Sequence, residues 1–156
     1  MCSFTISSLR ICHEYLLIYI YIYTKQEMSD DYVVYILRSG KFSYIGMTND
    51  FLRRWRQHNK IIKGGARYTS KRDGWTPICI IDGFKTKVEA MQCEWKLKRV
   101  KGYNKRVQNV HTHFTKKDRW TSKSPLIKSQ DLKIYIVKEY FKYFKDIPHK
   151  ELHWFD

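Results

Sequence analysis

Four kinds of side chain in this sequence are spaced so that they could act on a phosphate. Tyr35 and Tyr44 lie nine residues apart, on either side of Ser39-Gly40, a turn signal. Arg53, Arg54 and Arg56 crowd one short segment, with His58 four residues beyond Arg54. That step puts His58 and Arg54 on the same face of a helix. Glu94 is a carboxylate set among apolar and basic neighbours. Cutting a phosphodiester requires an activated water, a positioned phosphate, neutralised charge and a stabilised leaving oxygen. A planar guanidinium grips two phosphate oxygens. A carboxylate is a hard ligand suited to Mg²⁺, which keeps most of its waters. A phenol beside a cation can act as base once its pKa falls from about 10. Plainer roles fit the same residues. Glu94 could pair with Lys98 on a helix surface, the tyrosines could be core aromatics, and the arginines could form a solvated basic face.

The elements that must hold these groups are legible in outline. Tyr32–Leu37 predicts a strand and Phe42–Gly46 a second, together a hairpin. The stretch 49–63, NDFLRRWRQHNKIIK, predicts a helix with Asn49 or Asp50 as N-cap. Phe51, Leu52, Trp55 and Ile62 recur there at helical spacing, and Gly64-Gly65 marks the end. After Trp75, a candidate core plug, ICIIDGF predicts a short buried strand. Thr86 can cap a second helix running to Gly102, with Val88, Met91, Trp95 and Val100 as its apolar face. The order β-β-α-β-α predicts an α/β (α+β) domain, a three-stranded antiparallel sheet flanked by helices. Residues 105–124 read as a polar, basic loop, with His111 and His113 solvated rather than metal-bound. Leu132–Tyr143 alternates at first and then turns helical, so strand and helix are both open there.

The net charge is +15, from thirty Lys and Arg against fifteen acids in 156 residues. Such an excess repels itself, and a polyanion would offset that cost. Nucleic acid is the first candidate, since neutralised phosphates release counterions, and an anionic membrane surface is the second. The runs Lys96–Lys101, Lys105-Arg106 and Lys116–Arg119 would line a phosphate path without reading bases. Cys2, Cys12, Cys79 and Cys93 show neither zinc spacing nor a disulfide framework, which points to a reducing intracellular compartment rather than secretion. Residues 1–27 carry no net charge, since Arg10 and Lys25 balance Glu14 and Glu27. The apolar LLIYIYIY (Leu16–Tyr23) is too short to span a bilayer, and its alternation favours a strand. Met28 reads as a natural start, which makes 1–27 a dispensable or untranslated extension. The expected organisation is then 1–27 extension, 28–104 catalytic domain and 105–156 basic extension.

Val33-Val34-Tyr35 followed by Tyr44-Ile45-Gly46 resembles the paired motif of the GIY-YIG nucleases. The series continues in order: Thr48; Arg53-Arg54-Trp55-Arg56-Gln57-His58-Asn59; Gly64-Gly65-Ala66-Arg67-Tyr68-Thr69-Ser70; Trp75; Gly83-Phe84; and Ala90-Met91-Gln92-Cys93-Glu94-Trp95. It is similar to the branch that holds the catalytic subunit of structure-specific endonucleases acting on branched DNA. It covers roughly Tyr32 to Gly102. Small stand-alone members resemble it in large DNA viruses, which would place the chain in the nucleus or cytoplasm of a host cell. Three departures stand out. Val33 replaces the first Gly, no residue aligns firmly with the family's later Asn, and no cysteine follows Cys93. The last leads to the expectation that the zinc-binding domain of that branch, and with it the scaffold partner, is absent.

The resemblance implies a metal-dependent DNA endonuclease in repair or recombination, with Mg²⁺ (or Mn²⁺) on Glu94. It implies catalytic roles for Tyr35, Tyr44, Arg54, His58 and Glu94. Arg54 is chosen over Arg53 on the resemblance alone, and Tyr44 is preferred over Tyr35 as the base. Thr48, Arg53, Arg56, Asn59, Gly64, Gly65, Arg67, Thr69 and Lys98 are expected to grip the DNA backbone. The competing readings are a catalytically inactive nucleic-acid-binding protein and a basic RNA- or membrane-surface protein. The second explains the charge but not the ordered motifs.

Overall fold

The computed structural model describes residues 28–154 and, upstream of them, Cys12, Tyr15, Leu16, Tyr19, Ile22, Lys25 and Gln26. These seven upstream residues are helical and exposed, so Leu16, Tyr19 and Ile22 do not form the strand that their alternation predicted. A lone strand leaves its backbone groups unpaired, whereas a helix satisfies them internally. The reading of 1–27 as dispensable otherwise lies outside the described residues.

The fold is α+β. Strands β1 (Tyr32–Ser39) and β2 (Phe42–Thr48) form the expected hairpin, with Gly40 at a positive φ of 56° in the turn. Helix α1 (Phe51–His58) starts at Asp50, whose carboxylate accepts the Arg53 N–H. It stops six residues before the glycines that were expected to end it, because Lys60 takes a left-handed φ of 61°. Strand β3 is Thr76–Phe84. Helix α2 (Lys87–Lys98) opens with a capping box between Thr86 and Glu89.

Beyond this the chain departs from the expected outline. Residues Tyr103–Lys116 form a helix, α3, not a loop. Its buried residues Val107, Val110 and His113 step by three, a stripe too sparse to stand out from the surrounding polar residues. The open segment Leu132–Tyr143 divides into strand β4 (Lys133–Ile136) and a 3₁₀ turn (Lys138–Tyr143). With β5 (Lys150–Glu151) the sheet has five strands rather than three, in the order β2-β1-β3-β4-β5. All neighbours are antiparallel except β4 and β5. Pairing between strands more than 45 residues apart leaves no local signal in the sequence.

Each face of the sheet carries its own core. On one face Val34, Ile36, Ile45 and Ile81 pack with Ala90, Cys93 and Leu97 of α2, Val107 and Val110 of α3, and Trp120. On the other, Val33, Tyr35, Leu37 and Ile80 pack with Trp55 of α1, Trp75 and Leu152. Trp75 is fully buried, as expected of a core plug. The buried face of α2 is not the expected one. Val88, Met91 and Trp95 are 62%, 48% and 53% exposed, while Ala90, Cys93 and Leu97 are fully buried. The sequence offers two apolar stripes on this helix, and the one with smaller side chains lies against the sheet.

The described part of the segment after residue 104 is built into the first core, through Val107, Trp120, Ile134 and Phe144. A chain ended after residue 104 is therefore expected to lose its cooperative melting transition, which calorimetry would read against the full chain. A sharp transition in the shortened chain would show that the first 104 residues form an independent core.

Candidate active site

The free edge of the sheet at β2 is where the chemistry-bearing groups meet. Tyr35 of β1 pairs with Gly46 of β2, and both side-chain positions face α1. A Cβ on Gly46 would stand 2.3 Å from the Tyr35 hydroxyl. Only glycine lets the phenol cross β2 and emerge at the edge. There its oxygen lies 2.7 Å from Nε2 of His58, at the end of α1. The other ring nitrogen, Nδ1, lies 2.8 Å from Oγ1 of Thr69. Thr69 gives its single hydroxyl proton to the Ala66 carbonyl at 3.0 Å, so toward His58 it must accept. Nδ1 therefore carries the imidazole proton, Nε2 accepts, and the Tyr35 hydroxyl donates to it.

Electrostatics agree with that arrangement. Burial raises the Tyr35 pKa, and Tyr44 adds to the rise while Arg54 opposes it, so the phenol keeps its proton. Burial, followed by the Arg54 charge, pushes His58 down to about 4, which leaves the imidazole neutral at pH 7. His58 is held in place by a brace of tryptophans. The Trp55 indole donates to the Trp75 carbonyl at 2.6 Å, and the Trp75 indole donates to the Thr69 carbonyl at 3.0 Å.

Arg54 is half-buried, and its guanidinium donates to Gln57 Oε1 at 2.9 Å and to the Gly64 carbonyl at 2.8 Å. Both partners are neutral, and among the described residues no carboxylate forms an ion pair with it. Its charge remains available to an anion. Tyr44 stands 4.7 Å from the His58 ring and stacks on Tyr68 at 6.2 Å. Glu94 reaches the same edge from α2, on the opposite face of the sheet, and its charge acts on Tyr35. Its carboxylate, 19% exposed, pairs with Lys98 at 2.7 Å, and the Lys98 ammonium lies 5.9 Å from the Tyr44 ring centre. The helix-surface pairing considered from sequence is present, at the edge of the site.

Tyr35, Tyr44, Arg54, His58, Glu94 and Lys98 are thus gathered at one edge. The expected backbone-gripping residues divide. Arg53, Arg56 and Arg67 are exposed and free to meet phosphates. Thr48 instead exchanges hydrogen bonds with the Asp50 backbone at 3.0 and 3.2 Å, forming the turn into α1. Asn59 is spent on the fold, since its amide donates to the Trp55 and Trp75 carbonyls and accepts the Trp75 N–H at 2.8 Å. Thr69 is fully buried and serves His58 rather than the surface. Gly64 and Gly65 press against α1. A Cβ on Gly65 would fall 2.5 Å from the Gln57 carbonyl, so their closeness is to the helix.

Sequence reasoning passed over Gln57, which orients Arg54, and Tyr68, which covers Tyr44. Both lie inside the motif segments that carry the resemblance, and that position is the signal for them. Arg106, expected on the phosphate path, anchors α3 by donating to the Val100 and Ser43 carbonyls. It also lines, with Lys41, Lys98 and Lys101, a cleft of about 470 Å³ that opens beside Tyr44 and Tyr68. No group of three or more potential metal ligands occurs among the described residues, His111 and His113 included. His111 pairs with Asp146 at 2.6 Å, and His113 stacks on Trp120 at 5.1 Å.

A hairpin with a phenol on each arm, an arginine-bearing helix on one face and a carboxylate-bearing helix on the other define the class. Residues 17–107 match the GIY-YIG catalytic domain, and the chain belongs to the GIY-YIG family. Among individual proteins it is similar to the structure-specific endonuclease subunit slx1 of Schizosaccharomyces japonicus, 47% identical over 68 residues, 41% of this chain and 25% of that one. The SLX1 homolog of Giardia intestinalis is 51% identical over 57 residues, 36% of this chain and 16% of its own. SLX1 of Candida dubliniensis is 38% identical over 97 residues, 58% and 33% respectively. The chain thus matches a third or less of the length of each of these three relatives. No helix among the described residues is long and apolar enough to cross a membrane.

The buried neutral imidazole has a thermodynamic signature. In the unfolded chain His58 titrates near 6.5, and in the fold near 4. Between these values only the unfolded state gains the proton, so stability falls as pH falls through that window and levels off below it. The effect is roughly 3 kcal/mol at most. Denaturant titrations from pH 7 to 4 are expected to show a shallower loss in His58→Gln than in wild type. Parallel curves would mean that the imidazole is not held neutral.

Proposed function

We propose that the chain is a metal-dependent DNA endonuclease acting on branched or flapped DNA, with Tyr35, Tyr44, Arg54, His58 and Glu94 as its working groups. The observation that carries this reading is the directed chain from the Tyr35 hydroxyl through His58 to Thr69, beside an Arg54 that no acid among the described residues neutralises. The SLX1 relatives are named as structure-specific endonuclease subunits, which supports the substrate class.

A scissile phosphate would lie against the Arg54 guanidinium, whose charge counters what develops on the phosphoryl oxygens. The Tyr35 proton points toward His58 and the Arg54 guanidinium lies beside the same oxygen, which leaves a phenol lone pair to take a proton from an attacking water. As that proton arrives, Tyr35 passes its own to Nε2, and the water oxygen bonds to phosphorus as the bond to the leaving oxygen breaks. On this relay Tyr35 rather than Tyr44 is the base, because among the described residues it is the Tyr35 hydroxyl that hydrogen-bonds the imidazole. It also avoids a free phenolate, which burial disfavours. Tyr44 and Lys98 are placed to steady the phosphate.

Glu94 fits a divalent cation as its single protein ligand. Its carboxylate already faces one cation, the Lys98 ammonium, and Glu94 would hold Mg²⁺ or Mn²⁺ by the same carboxylate, a hard oxygen donor suited to either ion. When bound, such an ion supplies charge neutralisation and stabilises the leaving oxygen.

With Mg²⁺ present, wild-type protein is expected to cut flapped synthetic DNA, and EDTA to stop it. Glu94→Gln and Tyr35→Phe are each expected to slow cutting by roughly a thousandfold, while DNA binding stays within a few-fold of wild type. Tight binding without cutting under any divalent ion would instead leave a DNA-binding protein with a silent site.

A further inference from the structure

The proposed reading leaves the exposed side of α2 unexplained. Val88, Met91 and Trp95 follow one another at steps of three and four residues and form one apolar stripe on solvent. Glu94 lies three residues beyond Met91, and Lys98 three beyond Trp95, so the stripe borders the Glu94–Lys98 pair along its length. The Arg99 guanidinium lies over the Trp95 ring at 3.7 Å. An indole covered on one face by a cation and still 53% exposed offers its other face to a flat partner.

The surroundings select that partner. At the C-terminal end of α2, Lys98 and Lys101 enter the basic cleft beside Tyr44, a surface complementary to backbone phosphates. The stripe continues from the same edge, but it presents hydrocarbon and a ring, which phosphates do not favour. The apolar part of DNA is the face of a base, and in an intact duplex that face is covered by its stacked neighbours. Only an unpaired or unstacked base presents it.

Building on the nuclease reading, we infer that Trp95, with Met91 and Val88, is a stacking platform for an unpaired base next to the scissile phosphate. This platform favours branched or flapped DNA over fully paired DNA. Trp95 is thus a specificity-determining residue, in contact with substrate but taking no part in proton transfer.

The test uses full-length protein and a flapped DNA with 2-aminopurine as the unpaired base beside the cut. Glu94→Gln protein should quench the probe on binding, adding Trp95→Ala should abolish the quenching, and adding Trp95→Phe should preserve it. With Glu94 intact, Trp95→Ala should slow cutting of the flapped substrate roughly tenfold or more and leave a paired linear duplex within twofold. Quenching that survives Trp95→Ala overturns the proposal. So does an equal slowing on both DNAs that Trp95→Phe fails to restore. Unchanged quenching, together with loss of self-association in sedimentation of Trp95→Ala, would assign the stripe to a protein contact and overturn it too. The probe arm needs no cutting, so a wild type that cuts no DNA would refute the nuclease reading while the binding data still decide this one.

Discussion

The arrangement at the edge of the sheet depends on one buried hydrogen bond, from the Tyr35 hydroxyl to His58 Nε2. It joins a strand to a helix 23 residues later and fixes which nitrogen of the imidazole carries the proton. An unpaired phenol or imidazole in that position would cost more than an ordinary hydrogen bond contributes, so the two groups hold each other in register. Much of the neighbouring sequence serves that contact. Gly46 vacates the path of the phenol, Thr69 directs the imidazole proton, and the Trp55–Asn59–Trp75 brace holds the end of α1 where the imidazole must be.

The second organising constraint is that the groups come from both faces of the sheet. Arg54 and His58 arrive on α1, and Glu94 arrives on α2 from the far side. They can meet only at an edge, and β2 is the edge strand that both helices approach. An unprotected sheet edge is normally a hazard, because its unpaired backbone groups invite another strand. Here the bulky and charged side chains gathered at that edge stand in the way of such pairing.

Much of this candidate centre is legible in the sequence, because the GIY-YIG resemblance rests on short segments whose order survives folding. The hairpin tyrosines, Arg54, His58 and Glu94 come together at one edge. What was not legible was set by long-range packing. Val88, Met91 and Trp95 form as good an apolar stripe as Ala90, Cys93 and Leu97, and only the close approach of α2 to the sheet favours the smaller set. Asn59 and Thr48 carry donors suited to phosphate, yet nearby backbone groups claim them. Helix α3 and strand β5 lie in polar sequence whose few apolar residues gain meaning only from their partners, while β4 alternates locally but pairs with a strand more than 45 residues earlier.

The parallel strand β5 brings the chain back under α1. Just beyond it, Leu152 enters the core on that face, and Trp154 packs against Trp55 at 5.0 Å and Phe51 at 6.2 Å. The helix that carries Arg54 and His58 is thus braced by a residue one hundred positions after Arg54. During synthesis that brace is missing until residue 154 has cleared the ribosome. The α1 side of the sheet therefore completes its packing only when the chain near position 154 is in place.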